Sequence, residues 1–381
     1  MLCLGIMSCV DPYHLETDTF EDAIVIEATL TNELKKQEIK LSRTYRFEEN
    51  GPTFETGARV FVADDQGTNY EFQELNGRYV SVSEFQAVPG RKYKLTIITS
   101  TGNTYSSTDE MLSNVNPIGN VVASATSKDG QEGVQISVNS YDPTGNSKYY
   151  RFEYEETYKI VAPYHSDFKA VVVDAETVEV QPRTGGETRI CYTTKNSEKA
   201  TLTSTASFSE DRVTNLPIRF IRKDDYIITS RYSILVKQYI QNLASYTFYK
   251  TLQDISNNGS LLSQTQPGFF SGNISSENDP NEKVIGFFDV ASVSSQRIFF
   301  NFHDIFPGAP FPPYVTDCSF VVLNSLDFSR DPGEGYQLIS FINTKQLVYY
   351  SNAGPIYTMV APECGDCTTF SSNIIPEFWI D

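Results

Sequence analysis

Tyr226-Ile-Ile-Thr-Ser-Arg-Tyr-Ser-Ile-Leu-Val-Lys-Gln-Tyr-Ile240 alternates along most of its length, with Tyr232, Ile234 and Val236 on one face. A period of two predicts a long strand. Asn242 follows where an N-cap is wanted, and Leu243, Tyr246, Tyr249, Leu252 and Ile255 recur at helical spacing, which predicts an amphipathic helix over 243–256. Asn257-Asn258-Gly259 stops it, because Asn and Gly tolerate the left-handed backbone of a helix end. Two more strands are written in 266–274 and 283–290. The block 226–288 therefore reads as one helix laid against a sheet, and it holds no catalytic motif.

Outward from this block the chain remains strand-like. From 23 to 107 the candidates are 23–30, 38–43, 58–63, 70–75, 79–84 and 92–99, separated by Asp64-Asp65-Gln66-Gly67, Asn76-Gly77 and Pro89-Gly90. Tyr93, Leu95 and Ile97 alternate with Lys92, Lys94 and Thr96, an inside–outside pattern. Asp64, Asp65 and Gly67 lack the rest of an EF-hand loop and read as a hairpin turn. The expected fold class is mainly β: an N-terminal immunoglobulin-like or transthyretin-like sandwich over 23–110, then a larger β-rich domain over 115–381 with one helix. Further strands are expected at 134–139, 149–161, 170–173, 189–192 and 216–221.

Composition limits what such a chain does. The 381 residues include 23 Tyr and 25 Phe against one Trp and four Met, a balance that favours strands. A net charge of −18 argues against nucleic acid, whose phosphates need a basic footprint. No run of apolar residues is long enough for a transmembrane helix. His14, His165 and His303 lie far apart without metal-ligand spacing. No nucleophile elbow, P-loop or zinc-helix pattern occurs, so no enzyme, cofactor or metal is expected.

Residues 1–8 are an apolar run ending in a small residue before Cys9, as at the close of a lipoprotein signal peptide. The run lacks a basic start, so the signal is read as beginning upstream, with 1–22 a signal remnant and acidic tether. At 301–314 four prolines and several aromatic rings exclude a ladder strand. This is read as a loop that packs back on its domain or meets a partner, with Phe306, Phe311 and Tyr314 as contact candidates. Four cysteines remain beyond the signal: Cys191, Cys318, Cys364 and Cys367. An exported chain would form disulfides from them, three connectivities are possible, and Cys318 is expected to join one cysteine of the Cys-x-x-Cys tail. Trp379 is expected to dock the C-terminus onto the second domain.

The order Arg231-Tyr-Ser-Ile-Leu-Val-Lys-Gln238, Tyr246-x-Phe-Tyr-Lys250, Gln266-Pro, Gly272-Asn-Ile and Asn278-Asp-Pro followed by Val284-Ile-Gly-Phe resembles a Bacteroidota outer-membrane lipoprotein family known only as a domain of unknown function (4249). Each fragment is weak, but their order and spacing are specific. Cys9-Val-Asp-Pro and Cys364-Gly-Asp-Cys367 with Pro376-Glu-Phe-Trp379 extend the resemblance over nearly the whole chain. It implies a lipid anchor at Cys9, a surface-facing position on the outer membrane, and a TonB-dependent β-barrel as partner. It supplies no activity. A surface adhesin or glycan-binding protein is the alternative, suggested by tandem β domains and abundant Tyr.

Overall fold

The computed structural model describes residues 22–45, 51–257, 272–329 and 333–381. The chain forms two compact units, one from Met1–Ser113 with Thr247–Ala291, the other from Asn114–Tyr246 with Ser292–Asp381. The change near residue 114 falls where the sequence breaks its alternation. The expectation of two consecutive domains is corrected, however, because 247–291 belongs with the first unit rather than with 115–381.

In the first unit the strands run Ile24–Thr31, Glu38–Arg43, Arg78–Ser81, Asn69–Leu75, Arg59–Asp64, Lys92–Ile98, Thr104–Ser107 and Ile274–Ser276 in spatial order. In Lys92–Ile98 the buried residues are Tyr93, Leu95 and Ile97, as the alternation requires. Only two residue pairs join Glu38–Arg43 to Arg78–Ser81. The inner side chains before and after that short ladder, Ile26 and Leu41 with Val62, Leu95 and Tyr105, meet in one core. Such a path folds over on itself in a sandwich-like arrangement. The Asp64 turn is a hairpin: its Oδ1 accepts from the amides of Gln66 and Thr68 at 3.0 and 2.8 Å, and Gly67 has φ +85°.

What closes this core comes from far along the chain. The first part of Val284–Asn301 lies parallel to Ile24–Thr31, with Ile26 opposite Gly286 and Ala28 opposite Phe288. A parallel pair has no hairpin turn to announce it, so local spacing does not reveal the pairing. The contact is tight: an ideal Cβ on Gly286 would sit 2.6 Å from the Ile26 carbonyl oxygen, and one on Gly272 1.6 Å from the Gly286 oxygen. Asn273 clamps the same strand. Its side chain accepts from the Phe288 amide at 2.8 Å and donates to the Phe288 carbonyl at 3.0 Å.

The second unit packs two sheets. One orders Ile190–Asn196, Tyr149–Val161, Arg231–Gln241 and the end of Val284–Asn301; the other orders Arg212–Arg222, Gln131–Tyr141 and Asn120–Lys128. Ile136, Val138 and Ile221 of one meet Phe152, Ile160, Tyr232 and Val236 of the other. The long strand expected from 226 is shorter, because Tyr226–Ile228 forms a 3-10 turn capped by Asp225, whose Oδ1 accepts the Ile227 amide at 3.1 Å. The strand expected at 283–290 is longer and runs to Asn301. Helix Leu243–Asn257 stands where the periodicity puts it, and Asn242 Oδ1 accepts the Ser245 amide at 2.8 Å as its cap. Its first residues belong to the second unit and the rest, from Thr247, to the first. The strand expected at 266–274 lies mostly outside the described residues; of its described part, 272–274, only Ile274 is in a strand, Ile274–Ser276.

The expectation of one helix is also corrected. Glu334–Asn343 is a second, and Phe302–Ile305 and Pro362–Gly365 are single turns. Helix Glu334–Asn343 covers a three-stranded sheet ordered Val321–Asn324, Ile356–Val360 and Val348–Ala353. Five buried side chains, Leu323, Leu338, Tyr349, Tyr357 and Met359, form its core, and the hairpin of Phe168–Val172 with Val178–Pro182 adds Ala170 and Val180.

Candidate functional site

The proline-rich stretch after Val284–Asn301 is built from its first turn outward. Asp304 reaches back so that its Oδ2 accepts the Asn301 amide at 2.8 Å, which starts the turn Phe302–Ile305. Phe302 is buried in the core of the second unit. The Phe306 amide donates to the Phe302 carbonyl at 2.9 Å, and Gly308, at φ +71°, reverses the chain. His303 Nε2 then donates to the Ala309 carbonyl at 3.0 Å. His303 and Asp304 thus hold the turn itself, Asp304 through the amide and side chain of Asn301 and His303 through the Ala309 carbonyl.

The three aromatic candidates have different surroundings. Phe306 is partly buried against the main core, with Lys223 Nζ 5.2 Å from its ring centre. Tyr314 is partly buried too, and its hydroxyl donates to the Glu363 carbonyl at 3.0 Å. Burial, with the charge of Glu363 beside it, pushes the Tyr314 hydroxyl up to about 12. Phe311 alone of the three is well exposed, at 56 %. It rests on His303 and Phe302 at 4.4 and 5.6 Å between ring centres, while the neighbouring Pro312 is buried.

Beside Phe311 the prolines 310, 312 and 313 form one wall of a hollow of about 390 Å³. Its other wall holds Glu132, Arg222, Lys223 and Asp224. Lys223 pairs with Glu132 at 2.7 Å, and Arg222 pairs with Asp224. The charges cancel, so the hollow offers shape and an aromatic edge rather than a field. Asn301 at the N-cap position with Asp304 three residues on is the sequence signal that could have placed this turn.

Two disulfides fasten the region. Cys318 joins Cys364 across 46 residues, as expected for a bond to the tail, and Cys191 joins Cys367 across 176. Tyr314 and Cys318 thus meet the same tail segment, through Glu363 and Cys364. Trp379 docks within the second unit, its ring 4.9 Å from Tyr192 and 5.7 Å from Phe299. Cys9 lies outside the described residues.

Comparison with known proteins bears on this chain through one family. The family described as "Domain of unknown function (DUF4249)" matches residues 10–297. The chain belongs to the DUF4249 family. The match takes in the first unit, the Gly272–Gly286 contact and Cys191, whereas the loop 301–314 and the other three disulfide cysteines lie beyond it. No curated protein matches the sequence. Among solved structures, trypsin-activated alpha-2-macroglobulin from Escherichia coli is 10 % identical at a TM-score of 0.16, covering 58 % of this chain and 15 % of that one. The BSP domain of a biofilm-associated protein is 9 % identical at 0.14, covering 93 % and 79 %. Scores this low carry no argument about the DUF4249 fold or its function.

Proposed function

We propose that the protein is a non-enzymatic, surface-exposed outer-membrane lipoprotein, anchored at Cys9, that serves as a cargo-binding or accessory subunit of a TonB-dependent receptor. The observation that carries the reading is Phe311, an exposed ring held against His303 and Phe302. A ring already fixed loses little entropy on docking, and aromatic anchors dominate interface energies. The two disulfides agree with an exported protein. Phe306 and Tyr314 support the loop from beneath, so the contact rests on Phe311.

The test is affinity purification of the lipid-anchored protein from native membranes, wild type beside Phe311→Ser. A β-barrel should accompany the wild type, and the variant should recover roughly tenfold less, in keeping with loss of an aromatic anchor. A folded variant that keeps all of its barrel removes the loop from the interface. A wild type that brings down no barrel removes the function.

A second reading has its own observation. Tyr164, Phe320 and Tyr350 form a cluster with ring centres 4.7 to 5.5 Å apart, and Phe320 is about half exposed. Ring faces of this kind suit sugars, so glycan binding without a barrel would favour the adhesin alternative.

A further inference from the structure

The hairpin Phe168–Val172/Val178–Pro182, the end of helix Glu334–Asn343 and the tail around Asp366 enclose a second hollow, of about 450 Å³, within the second unit. Its floor is apolar and includes Leu347, Tyr349 and Met359. Three cations line it, Lys169, Arg183 and Lys345, against a single carboxylate, Asp366. The whole chain has 48 acidic and 30 basic side chains, so this balance reverses the surrounding charge.

Asp366 is already used. Arg183 Nη1 donates to its Oδ2 at 3.1 Å, and its Oδ1 accepts the Thr368 amide at 3.0 Å. That leaves Lys169 and Lys345, both exposed and without an ion pair among the described residues. Lys345 is notable for its backbone, which has φ +56°. A lysine there is costlier than Gly or Asn, which adopt that conformation more readily. The helix end holds it: the Lys345 amide donates to Ile342 at 3.2 Å and the Gln346 amide to Phe341 at 3.0 Å.

From this geometry we infer a binding site for a small organic anion with an apolar body, a medium-chain carboxylate being the simplest example. The carboxylate is met by Lys169 and Lys345 at the rim, and the hydrocarbon replaces water over the partly exposed Ile342, Leu347 and Val348. The volume suits a ligand of this size, and an apolar floor with a few convergent polar groups is the usual form of such a site. Both disulfides end in the tail segment that carries Asp366, so this wall is fixed before the ligand arrives. The inference is independent of the receptor reading, and its test needs neither a membrane nor a barrel.

The purified protein is titrated with octanoate by ligand-observed NMR, with octanol, octyltrimethylammonium and acetate as controls. Octanoate should saturate one site with a Kd of about 1 mM or tighter, the affinity expected for roughly ten well-buried heavy atoms. Octanol should bind on the order of tenfold more weakly, and the cation and acetate should not saturate. The double variant Lys169→Gln/Lys345→Asn should lose on the order of tenfold in octanoate affinity, while the charge-matched control Lys92→Gln/Lys94→Gln, on an exposed strand face of the first unit, loses nothing. Asn tolerates the backbone at 345, so the double variant keeps its fold. No saturable octanoate binding up to about 10 mM, equal affinity for octanol, or unchanged affinity in the double variant would each overturn the assignment.

Discussion

Replacing Cys318 and Cys364 together with Ala removes a bond that closes 46 residues around the three-stranded sheet. The double substitution leaves no unpaired thiol to exchange with the Cys191–Cys367 bond, which closes 176 residues. For a 46-residue loop the chain-entropy relation gives about 4 kcal/mol at 25 °C, an upper figure because unfolded chains keep some order. That loss falls on a core of only five buried side chains, a size that depends on staples. The sheet should therefore open by itself, ahead of the two-sheet core beneath it. Hydrogen exchange followed by mass spectrometry reads this directly. Peptides covering Val321–Asn324 and Ile356–Val360 should exchange up to about a thousandfold faster, while those covering Gln131–Tyr141 and Lys92–Ile98 should not change. Trp379 fluorescence should also hold steady, because its ring lies on Tyr192 beside the other disulfide. Unaltered exchange in Val321–Asn324 would refute the staple. Equal acceleration in Gln131–Tyr141 would show that the small sheet does not open separately.

Gly272→Ala should cost the first unit more than about 2 kcal/mol in chemical denaturation, since its Cβ would fall inside the Gly286 carbonyl; an unchanged midpoint would mean that the contact yields freely. Asp142 gives a pH test. Burial alone would raise its carboxyl, but donors from Thr144, Ser147 and Asn146 outweigh burial and hold it down to about 2. Its charged form is thus the stabilised one, worth about 2 kcal/mol above pH 4 and lost as the pH falls toward 2. The stability difference between wild type and Asp142→Asn should shrink over that interval, and a difference independent of pH would contradict the assignment. In the full-length precursor, Cys9→Ala should move the protein from the membrane to the soluble fraction, because each buried acyl methylene contributes about 0.8 kcal/mol. A variant that still sediments with the outer membrane would end the lipoprotein reading.

Most strands were legible because alternation is local: Lys92–Ile98 and Tyr149–Val161 lie within a residue of where the pattern puts them. Asn242 and the Asp64 turn were legible for the same reason, each acting on amides two to four residues away. Pairing between remote segments was not. Nothing near Ile24 or Val284 announces that they are partners, and the missing hairpin turn is the physical cause. Helix Glu334–Asn343 was missed although Leu338, Phe341 and Ile342 have helical spacing, because a ten-residue segment gives few repeats to count. The candidate sites share this limit. Composition marks Phe306, Phe311 and Tyr314 alike, and only packing separates the exposed ring from the two that support it. Lys169, Lys345 and Asp366 come from three separate segments, and no spacing rule brings them together.

The strand Val284–Asn301 also sets a timetable. Ile24–Thr31 lacks its parallel neighbour until Val284 has been made, roughly 250 residues later, a delay of about 12–50 s at ordinary rates of synthesis. During that interval the N-terminal strands have an open edge and an unfinished core, while much of the second unit is already present. A fragment that ends at Ser113 would remain in that state permanently. The first unit, though it is made first, finishes late, and its sheet edge stays open for longer than its own length alone would require.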